Sequence, residues 1–446
     1  MSRLYKSPLR GTARQQLLSG SAASVAIKMA SLGINLTITV LLARLLAPSG
    51  YGVYSLALAI ISLLAIPIQL GLPTLVLREV ATSAARQDWG LLRGLIRWVH
   101  GVIVTSSVAV AGVAIGIAWL LKTRLEAGFF YTMLFAAPLL AIASLTSVRQ
   151  NVLMGMKRVI VAQVPELLFM PLMYLICITL ASLFLPHPVH PQTAMAAYVA
   201  CYCMAFILGS VLLSNVLPVA AVSVESSTPV KGWMKSILAL SLVSGLSVIS
   251  SQLIIPIMGF LASDETIGLY RVAASGAAMT TVVGATIGSI VSPYIATYYS
   301  QRDFAKLQLL ATYSARACLV PALIVFVAYS TFGATLLRLI FGPQFVGAFG
   351  ALVVLTIGQV INCATGIVHS LLIMTGHEQD TLRGSIVGAV VNVVLALALV
   401  PKFGLMGAAA ATCAAVTAEN ALLYFTVRAR LHIGSSILSV GRPRTA

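Results

Sequence analysis

The sequence predicts an all-α polytopic membrane protein with about twelve transmembrane helices, in two parallel-repeat six-helix lobes around a central cavity. Composition is the first observation: of 446 residues, 59% are apolar and 9% are charged, whereas soluble domains carry roughly 25% charged residues. Long apolar stretches recur along the whole chain, and one short sequence pattern occurs in both halves. A chain of this composition is solvated by lipid, which excludes a soluble enzyme.

The apolar stretches define the predicted spans. Each is bounded by charges, prolines or turn residues and is long enough to cross a hydrocarbon core of about 30 Å. Basic residues precede the first stretch but no small-residue cleavage site follows it, so we expect a retained span rather than a signal peptide. The predicted spans are residues 17–45, 51–77, 95–121, 129–153, 159–184, 194–217, 236–261, 267–294, 314–340, 346–375, 381–401 and 405–428.

Basic residues predict the orientation. Lys and Arg are about four times as numerous in the segments assigned to the inner face as in those assigned to the outer face, which predicts that both termini are cytoplasmic. The net charge of +17 is spread over these short segments and is not gathered in one patch. We therefore expect no nucleic-acid partner.

An internal repeat predicts how the lobes are related. Residues 46–57 (LAPSGYGVYSLA) resemble residues 261–273 (LASDETIGLYRVA), and six spans per lobe give the two copies the same orientation. Segments 80–97 and 296–313, each after the second span of its lobe, are typical of interfacial amphipathic helices. The predicted units are an N-terminal lobe (1–217), a cytoplasmic linker (218–235), a C-terminal lobe (236–430) and a cytoplasmic tail (431–446).

Polar residues follow one face of the first span. Ser24, Lys28, Ser31, Asn35 and Thr39 are spaced by three or four residues, so they share one side of a helix that must face protein or water. Lys28 lies roughly 16 Å into the span, where an ionisable side chain usually faces a water-filled path. The alternative is a lysine that reaches back to the interface from a helix that begins later.

Further polar residues belong to three other spans. Arg271 occupies the position that the repeat pairs with Ser55, and no acid lies at comparable depth in these helices. A polar, cationic lining favours an anionic ligand, although the hydroxyl groups could equally serve helix packing. Other polar residues of these spans are Ser62 and Gln69 in the second, Ser241, Ser244, Ser247, Ser251 and Gln252 in the seventh, and Ser275, Thr281 and Thr286 in the eighth.

Two acids lie in apolar surroundings. Glu166 follows Pro165 in the fifth span and Glu419 precedes Asn420 in the twelfth; each is a candidate for proton or sodium coupling or for a neutralised structural role. No phosphate-binding loop or zinc-protease motif is present in the sequence, so we expect neither catalysis nor a cofactor. The six cysteines lie in apolar runs and are interpreted as buried hydrophobic residues rather than disulfides or metal ligands.

Three segments carry a family resemblance: ARLLAPSGYGVY at 43–54, QLGLPTLVLR at 69–78 and NVVLALALVPKFGLMGAAAAT at 392–412. They resemble the polysaccharide-transporter family, the Wzx-type flippases of O-antigen and exopolysaccharide in the multidrug/oligosaccharidyl-lipid/polysaccharide superfamily. The resemblance implies a fold like that of the multidrug and toxin extruders (MATE), located in the bacterial inner membrane. It also implies transfer of an undecaprenyl-diphosphate-linked oligosaccharide from the cytoplasmic to the periplasmic leaflet, together with other polysaccharide-assembly proteins.

In such a flippase, Lys28 and Arg271 would pair with the diphosphate while Ser24, Ser31, Asn35 and Gln252 meet sugar hydroxyls. Arg44 and Arg78 lie inside the family-like segments but at helix ends, where a role in an interface is an equal alternative. Across an inside-negative membrane, outward transfer of an anionic lipid is favoured by about 2.3 kcal/mol per charge for each 100 mV of membrane potential. Transfer therefore requires no nucleotide.

Three alternative functions are also considered for this sequence. A multidrug extruder of the same superfamily would be expected to have acids in its lobes, and a lipid II flippase would be expected to have two further helices. A membrane-embedded glycan polymerase or ligase would require a large external catalytic loop, which the predicted spans do not leave room for.

Overall fold

The computed structural model describes residues 13–69, 71–120, 127–184, 189–217, 245 and 248–434, with side chains excepted for 13–22, 127 and 289. Within these ranges every regular element is a helix. The predicted linker at 218–235, Ser241, Ser244, Ser247 and most of the predicted tail lie outside the described residues. The helices are α1 (Ala13–Leu64), α2 (Ile66–Gln69), α3 (Leu72–Arg86), α4 (Trp89–Leu120), α5 (Ala127–Ala136), α6 (Leu139–Gly155), α7 (Val159–Val164), α8 (Met170–Phe184), α9 (Pro191–Val216), α10 (Ile254–Leu261), α11 (Asp264–Ala278), α12 (Val282–Ser300), α13 (Phe304–Ile340), α14 (Phe349–Thr365), α15 (Val368–Met374) and α16 (Glu378–Leu431).

The membrane-crossing helices agree with the predicted all-α polytopic fold. Among the described residues, eight helical segments are long and apolar enough to cross a membrane, and a ninth forms if the bent pair Asp264–Gly288 and Ile290–Ser300 is one span. Two of the eight, Ala23–Gln69 and Glu378–Leu431, have 47 and 54 residues. At about 1.5 Å per residue, each is far longer than one crossing requires.

Backbone breaks divide these two long segments. Ala47 has φ 57° and ψ 174° immediately before Pro48, and Gly404 has φ 53° and ψ −122° soon after Pro401. Both conformations lie outside the helical region, so each long segment consists of two helices joined at a kink. The kinks lie where spans 1 and 2, and spans 11 and 12, were predicted to meet, and each segment is long enough for two crossings.

Tight turns on the side of the N-terminus recur in both halves. Gln87 and Arg302, at the turns that precede α4 and α13, have φ 58° and 57°. Asp88 and Asp303 follow them and accept hydrogen bonds from the backbone N–H groups of Leu91 and Lys306, three residues on, at 3.0 Å. The second pair is Lys157 and Gly376, with φ 61° and 81°, before α7 and α16. These turns extend the internal repeat beyond the short sequence match.

The prediction of one interfacial helix at 80–97 and another at 296–313 is wrong. In each case the αL turn divides the segment, because a left-handed residue followed by an aspartate cap ends one helix and begins the next. Residues 80–86 end α3 and residues 89–97 begin the membrane-crossing α4; residues 296–300 end α12 and residues 304–313 begin α13. Span 10 also differs from its prediction, since Gly366 at φ 79° separates α14 from α15.

The two halves pack through α1 and α11, the helices that contain the repeat. A Cβ atom on Gly52 would lie 1.8 Å from the carbonyl oxygen of Asp264, and one on Gly268 would lie 1.9 Å from that of Pro48. The repeat pairs Gly52 with Gly268, so the same position allows backbone contact from both sides. Because Ala47 precedes this contact by one helical turn, the contact lies at the face opposite the N-terminus, which we call the closed end.

Candidate functional site

A cavity of about 340 Å³ lies between the two halves, on the N-terminal side of the closed end. The N-terminal half contributes the second part of α1 with α2, α6 and α9, and the C-terminal half contributes Gly245, Val248, Ser251 and Gln252. The lining is largely apolar. Its polar and aromatic members are Ser62, Gln69, Tyr198, Tyr202, Ser251 and Gln252.

Four predicted site residues therefore meet in this cavity. Ser62 and Ser251 donate hydrogen bonds to the carbonyls of Leu58 and Val248, at 2.8 and 3.0 Å, which leaves their oxygens able to accept. The Gln69 side chain makes only a long contact, Nε2 to the Ser144 hydroxyl at 3.4 Å. The two glutamines come from different halves, so a ligand that bonds to both would bridge them.

No charged residue is among the described residues that line the cavity. The predicted cationic lining is thus not formed by side chains in direct contact with this space. Lys28 is exposed on α1 and is absent from the described lining. Arg271 is half-buried on α11, within electrostatic range of Tyr198 at the cavity and of Tyr51 near the closed end.

Tyrosine hydroxyls surround Arg271. Its guanidinium interacts with the hydroxyl of Tyr51, which also has Thr39 and Ser55 as neighbours. It acts electrostatically on Tyr54, Tyr198 and Tyr270 as well. None of the ion pairs formed among the described residues includes Arg271. An arginine surrounded by neutral hydroxyls keeps a net positive potential beside the cavity.

The tyrosines near Arg271 form one cluster that sequence reasoning missed. Tyr198 is at its centre, with edge-to-face contacts to Tyr54, Tyr174 and Tyr202 at centroid separations of 6.3, 5.0 and 5.1 Å. The Tyr174 hydroxyl bonds to that of Tyr54 and to the carbonyl of Ala194, both at 3.1 Å. The available signal was the spacing of four between Tyr198 and Tyr202, which puts both rings on one side of α9.

The polar residues that were predicted to share one face of the first span lie in different environments. Ser24 donates to Oε1 of Gln163 at 2.9 Å, which ties α1 to α7. The Asn35 amide donates to the carbonyl and hydroxyl of Ser31, at 2.8 and 3.2 Å, and Ser31 is buried while Asn35 is exposed. Ser24 and Ser31 therefore have structural partners already, whereas Lys28 and Asn35 retain exposed polar groups.

Glu166 has a partner that the sequence did not reveal. Its carboxylate lies 3.4 Å from the guanidinium of Arg149, whose side chain is only 2% exposed. Arg149 also donates to the carbonyls of Ala205 and Phe206, at 3.1 and 2.6 Å. The carbonyls of α9 and the Glu166 carboxylate together compensate this cation inside the helix bundle.

Glu166 also lies at a helix irregularity. Residues Pro165–Phe169 form a π-helical turn between α7 and α8, a feature that is frequent at functional sites. The carboxylate acts electrostatically on Tyr202, which lines the cavity. The buried ion pair is therefore within electrostatic range of the cavity wall.

Glu419 lies in a second polar cluster, within the C-terminal half. It accepts a hydrogen bond from the Ser385 hydroxyl at 2.7 Å, and Nε2 of His369 is 3.7 Å from the same carboxylate. The neighbouring Asn420 is buried and bonds to Thr365 at 3.2 Å. A carboxylate beside an imidazole is an arrangement that can exchange a proton.

Arg44 and Arg78 make separate contacts. The Arg44 guanidinium donates from Nε to the carbonyl of Ile340 at 2.7 Å and from Nη2 to that of Leu339, so a residue of the N-terminal half caps the end of α13. Arg78 is exposed and pairs with Glu79 at 3.0 Å. The structure thus favours the interface role for Arg44.

A family model and a curated relative both connect this chain with glycan biosynthesis. A family model described as polysaccharide biosynthesis protein matches residues 17–299. A Haloferax volcanii protein named "Probable low-salt glycan biosynthesis flippase Agl15" is 20% identical over 168 residues, which are 38% of this chain and 36% of that protein. The chain thus spans about a third of that relative's length.

Two solved structures share the fold along most of the chain. An inward-facing multidrug resistance MATE family transporter of the MOP superfamily has a TM-score of 0.75 at 14% identity, and 92% of this chain and 98% of that one are covered. The lipid II flippase MurJ, in an inward closed conformation, has a TM-score of 0.68 at 12% identity, with coverages of 92% and 87%. These likenesses establish the fold, in agreement with the predicted architecture.

Proposed function

Because the chain belongs to the polysaccharide biosynthesis protein family, we propose that it is a flippase for a lipid-linked oligosaccharide. One observation carries the proposal: an uncharged cavity with hydroxyl and amide groups in its wall lies between the two halves, near an arginine that has no ion-pair partner among the described residues. Polar groups at membrane depth normally face a cavity or one another. A headgroup with sugars and phosphate satisfies both the neutral lining and the adjacent cation.

The proposed substrate is an undecaprenyl-diphosphate-linked oligosaccharide. Arg271 and the exposed Lys28 would pair with the diphosphate, since charge-assisted bonds to phosphate are strong and geometrically specific. The hydroxyl and amide groups that line the cavity would bond to sugar hydroxyls, with Asn35 as an additional exposed amide. Ser24 and Ser31 keep a secondary role, because both already have partners in the protein.

The proposed reaction transfers this lipid from the cytoplasmic to the periplasmic leaflet of a bacterial inner membrane, for O-antigen or exopolysaccharide synthesis. Both termini would be cytoplasmic, so the closed end would be periplasmic. The cavity would be exposed alternately to the two faces, with the contact between α1 and α11 opening in the periplasm-facing state. Other polysaccharide-assembly proteins would act before and after this step.

Ion coupling is proposed at Glu166 and Glu419. Each carboxylate has one basic neighbour, Arg149 or His369, and only part of its surface is exposed. Loading a proton or a sodium ion would change the charge of its cluster and thereby the packing of the helices around it. Transport in proteoliposomes should lose its dependence on an imposed ion gradient in Glu166→Gln or Glu419→Gln; unchanged dependence in both variants would refute coupling at these sites.

Complementation tests the function. A strain that lacks the gene should accumulate lipid-linked repeat units in the inner leaflet, identified by mass spectrometry after extraction. Arg271→Ala and Lys28→Ala should fail to restore surface glycan although each is expressed, and Arg271→Lys should restore part of it because the charge is kept while the planar donor fork is lost. Full glycan output from both alanine variants would overturn the phosphate-binding assignment.

Two related activities are distinguished by the same strain. Export of organic cations would be expected of a multidrug extruder, and loss of peptidoglycan synthesis with accumulation of lipid II would be expected of a lipid II flippase. The described cavity lining contains no acid, which favours the oligosaccharide flippase over the cation extruder. Drug sensitivity and lipid II content of the deletion strain should therefore remain at wild-type values.

A further inference from the structure

The tyrosine cluster has two partly buried members on α9, which line the cavity, and a rigid support on α1 and α8 behind them. Tyr198 and Tyr202 line the cavity, while Tyr54 and Tyr174 are 4% and 1% exposed. The hydroxyl of Tyr174 is fixed by the Tyr54 hydroxyl and the carbonyl of Ala194. The supporting rings therefore hold Tyr198 in one orientation, which lowers the entropic cost of binding a ligand against it.

The other lining residues indicate which part of a glycolipid the cavity can bind. An acyl or polyprenyl chain would offer no hydrogen bond to the amides of Gln69 and Gln252 in an apolar surrounding, which is unfavourable. A phosphate would meet no cation among the described lining residues. A sugar ring presents an apolar face of C–H groups and a rim of hydroxyls, which match an aromatic ring and amide groups respectively.

We infer that Tyr198 and Tyr202 form a stacking platform for a sugar of the transported glycan, with Gln69 and Gln252 bonding to its hydroxyls. The inference rests on the proposed function and adds the residues that recognise the sugar. The cavity of about 340 Å³ is near the lower end of the range for ligand pockets, ~300–1,000 Å³. Only a short portion of the oligosaccharide fits, so these residues would read the sugars nearest the diphosphate, which Arg271 holds alongside.

Binding to the full-length protein in nanodiscs tests the platform. The probes are the undecaprenyl-diphosphate-linked oligosaccharide extracted from the deletion strain and undecaprenyl diphosphate without sugar, with both measured by native mass spectrometry. Tyr198→Leu and Tyr202→Leu should each weaken binding of the glycosylated probe by about tenfold and leave binding of the bare lipid unchanged. Tyr202→Phe keeps the ring and should bind nearly as the wild type does.

Matched variants separate recognition from folding. Tyr313 is 64% exposed on α13, and Tyr313→Leu should change neither affinity. Equal affinities for the glycosylated probe in wild type and both cavity variants, or an equal loss for both probes, would overturn the inference. If Tyr198→Leu fails to fold, Tyr202→Leu with Tyr202→Phe decides the question alone. Wild-type protein that binds bare lipid and glycolipid with the same affinity would refute the platform but not the flippase; failure to bind either probe would refute both.

Discussion

At the scale of single residues, Arg149 and Glu166 form a buried ion pair whose two members depend on each other unequally. Arg149 is also held by the carbonyls of Ala205 and Phe206 and lies 5.5 Å from the ring centroid of Phe206. A Cβ atom on Gly209 would lie 2.2 Å from its guanidinium carbon. The arginine therefore remains in place without the carboxylate, whereas Glu166 depends on the arginine.

This asymmetry predicts the stability of three variants. Arg149→Met should destabilise the protein by about 3 kcal/mol, because an unpaired carboxylate remains in the bundle. Glu166→Met should cost less, and the double variant should be more stable than Arg149→Met alone, since no uncompensated charge is left. Apparent melting temperatures in detergent give the order; a double variant that is the least stable of the three would contradict the buried-pair interpretation.

At the scale of helices, the contact between α1 and α11 depends on two glycines. Gly52→Ala and Gly268→Ala each put a methyl group within about 2 Å of a carbonyl oxygen on the facing helix, and backbone on both sides prevents a small local adjustment. We expect both variants to separate the helices at the closed end. In a complementation assay both should lose glycan export although the protein still reaches the membrane.

Gly33→Ala is the matched control for the glycine contact, because a Cβ atom at Gly33 would have no neighbour within 4 Å. Alanine is also the better helix former, so export should be retained. A cysteine pair introduced on the two helices near the closed end should cross-link in the Gly33→Ala protein and not in Gly52→Ala. Efficient cross-linking in Gly52→Ala would show that the contact does not need the glycine.

At the scale of the whole molecule, Arg44 connects the halves at the closed end. Its side chain bonds to the last carbonyls of α13, which have no partner within the helix and carry a partial negative charge. Arg44→Ala should weaken the closed end and shift the protein toward the state in which that end is open. Thiol labelling of a cysteine at Ser55, which is 4% exposed, should become faster in Arg44→Ala than in the parent.

The control for Arg44 is Arg338→Ala, at the end of the same helix α13, which should leave the labelling rate unchanged. Arg44→Lys should give an intermediate rate, since one ammonium cannot reproduce two guanidinium bonds in a fixed geometry. Equal labelling rates in Arg44→Ala and the parent would mean that the glycine contact alone holds this end closed.

Much of the architecture was predictable because membrane spans are encoded locally. Apolar length and flanking charges identified the crossings, and the motif around Gly52 and Gly268 identified the repeat that the αL turns at Gln87 and Arg302 extend. The cavity residues Ser62, Gln69, Ser251 and Gln252 were predicted from polarity at depth. Lys28, which had the same signal, is exposed on α1 and does not line the described cavity.

The sequence alone determined that lipid solvates this chain, since hydropathy and charge distribution depend on composition and order only. It also indicated the breaks at Ala47–Pro48 and near Gly404, because proline and glycine act on their immediate backbone, but not the turns at Gln87, Arg302 and Gly366. Only the tertiary structure decided which polar groups meet: Arg149 with Glu166, Arg44 with the end of α13, and Tyr198 with Tyr54 and Tyr174 beside the cavity. Those contacts join distant segments through helix rotation and packing, and the spacing of residues within one helix carries no information about its neighbour.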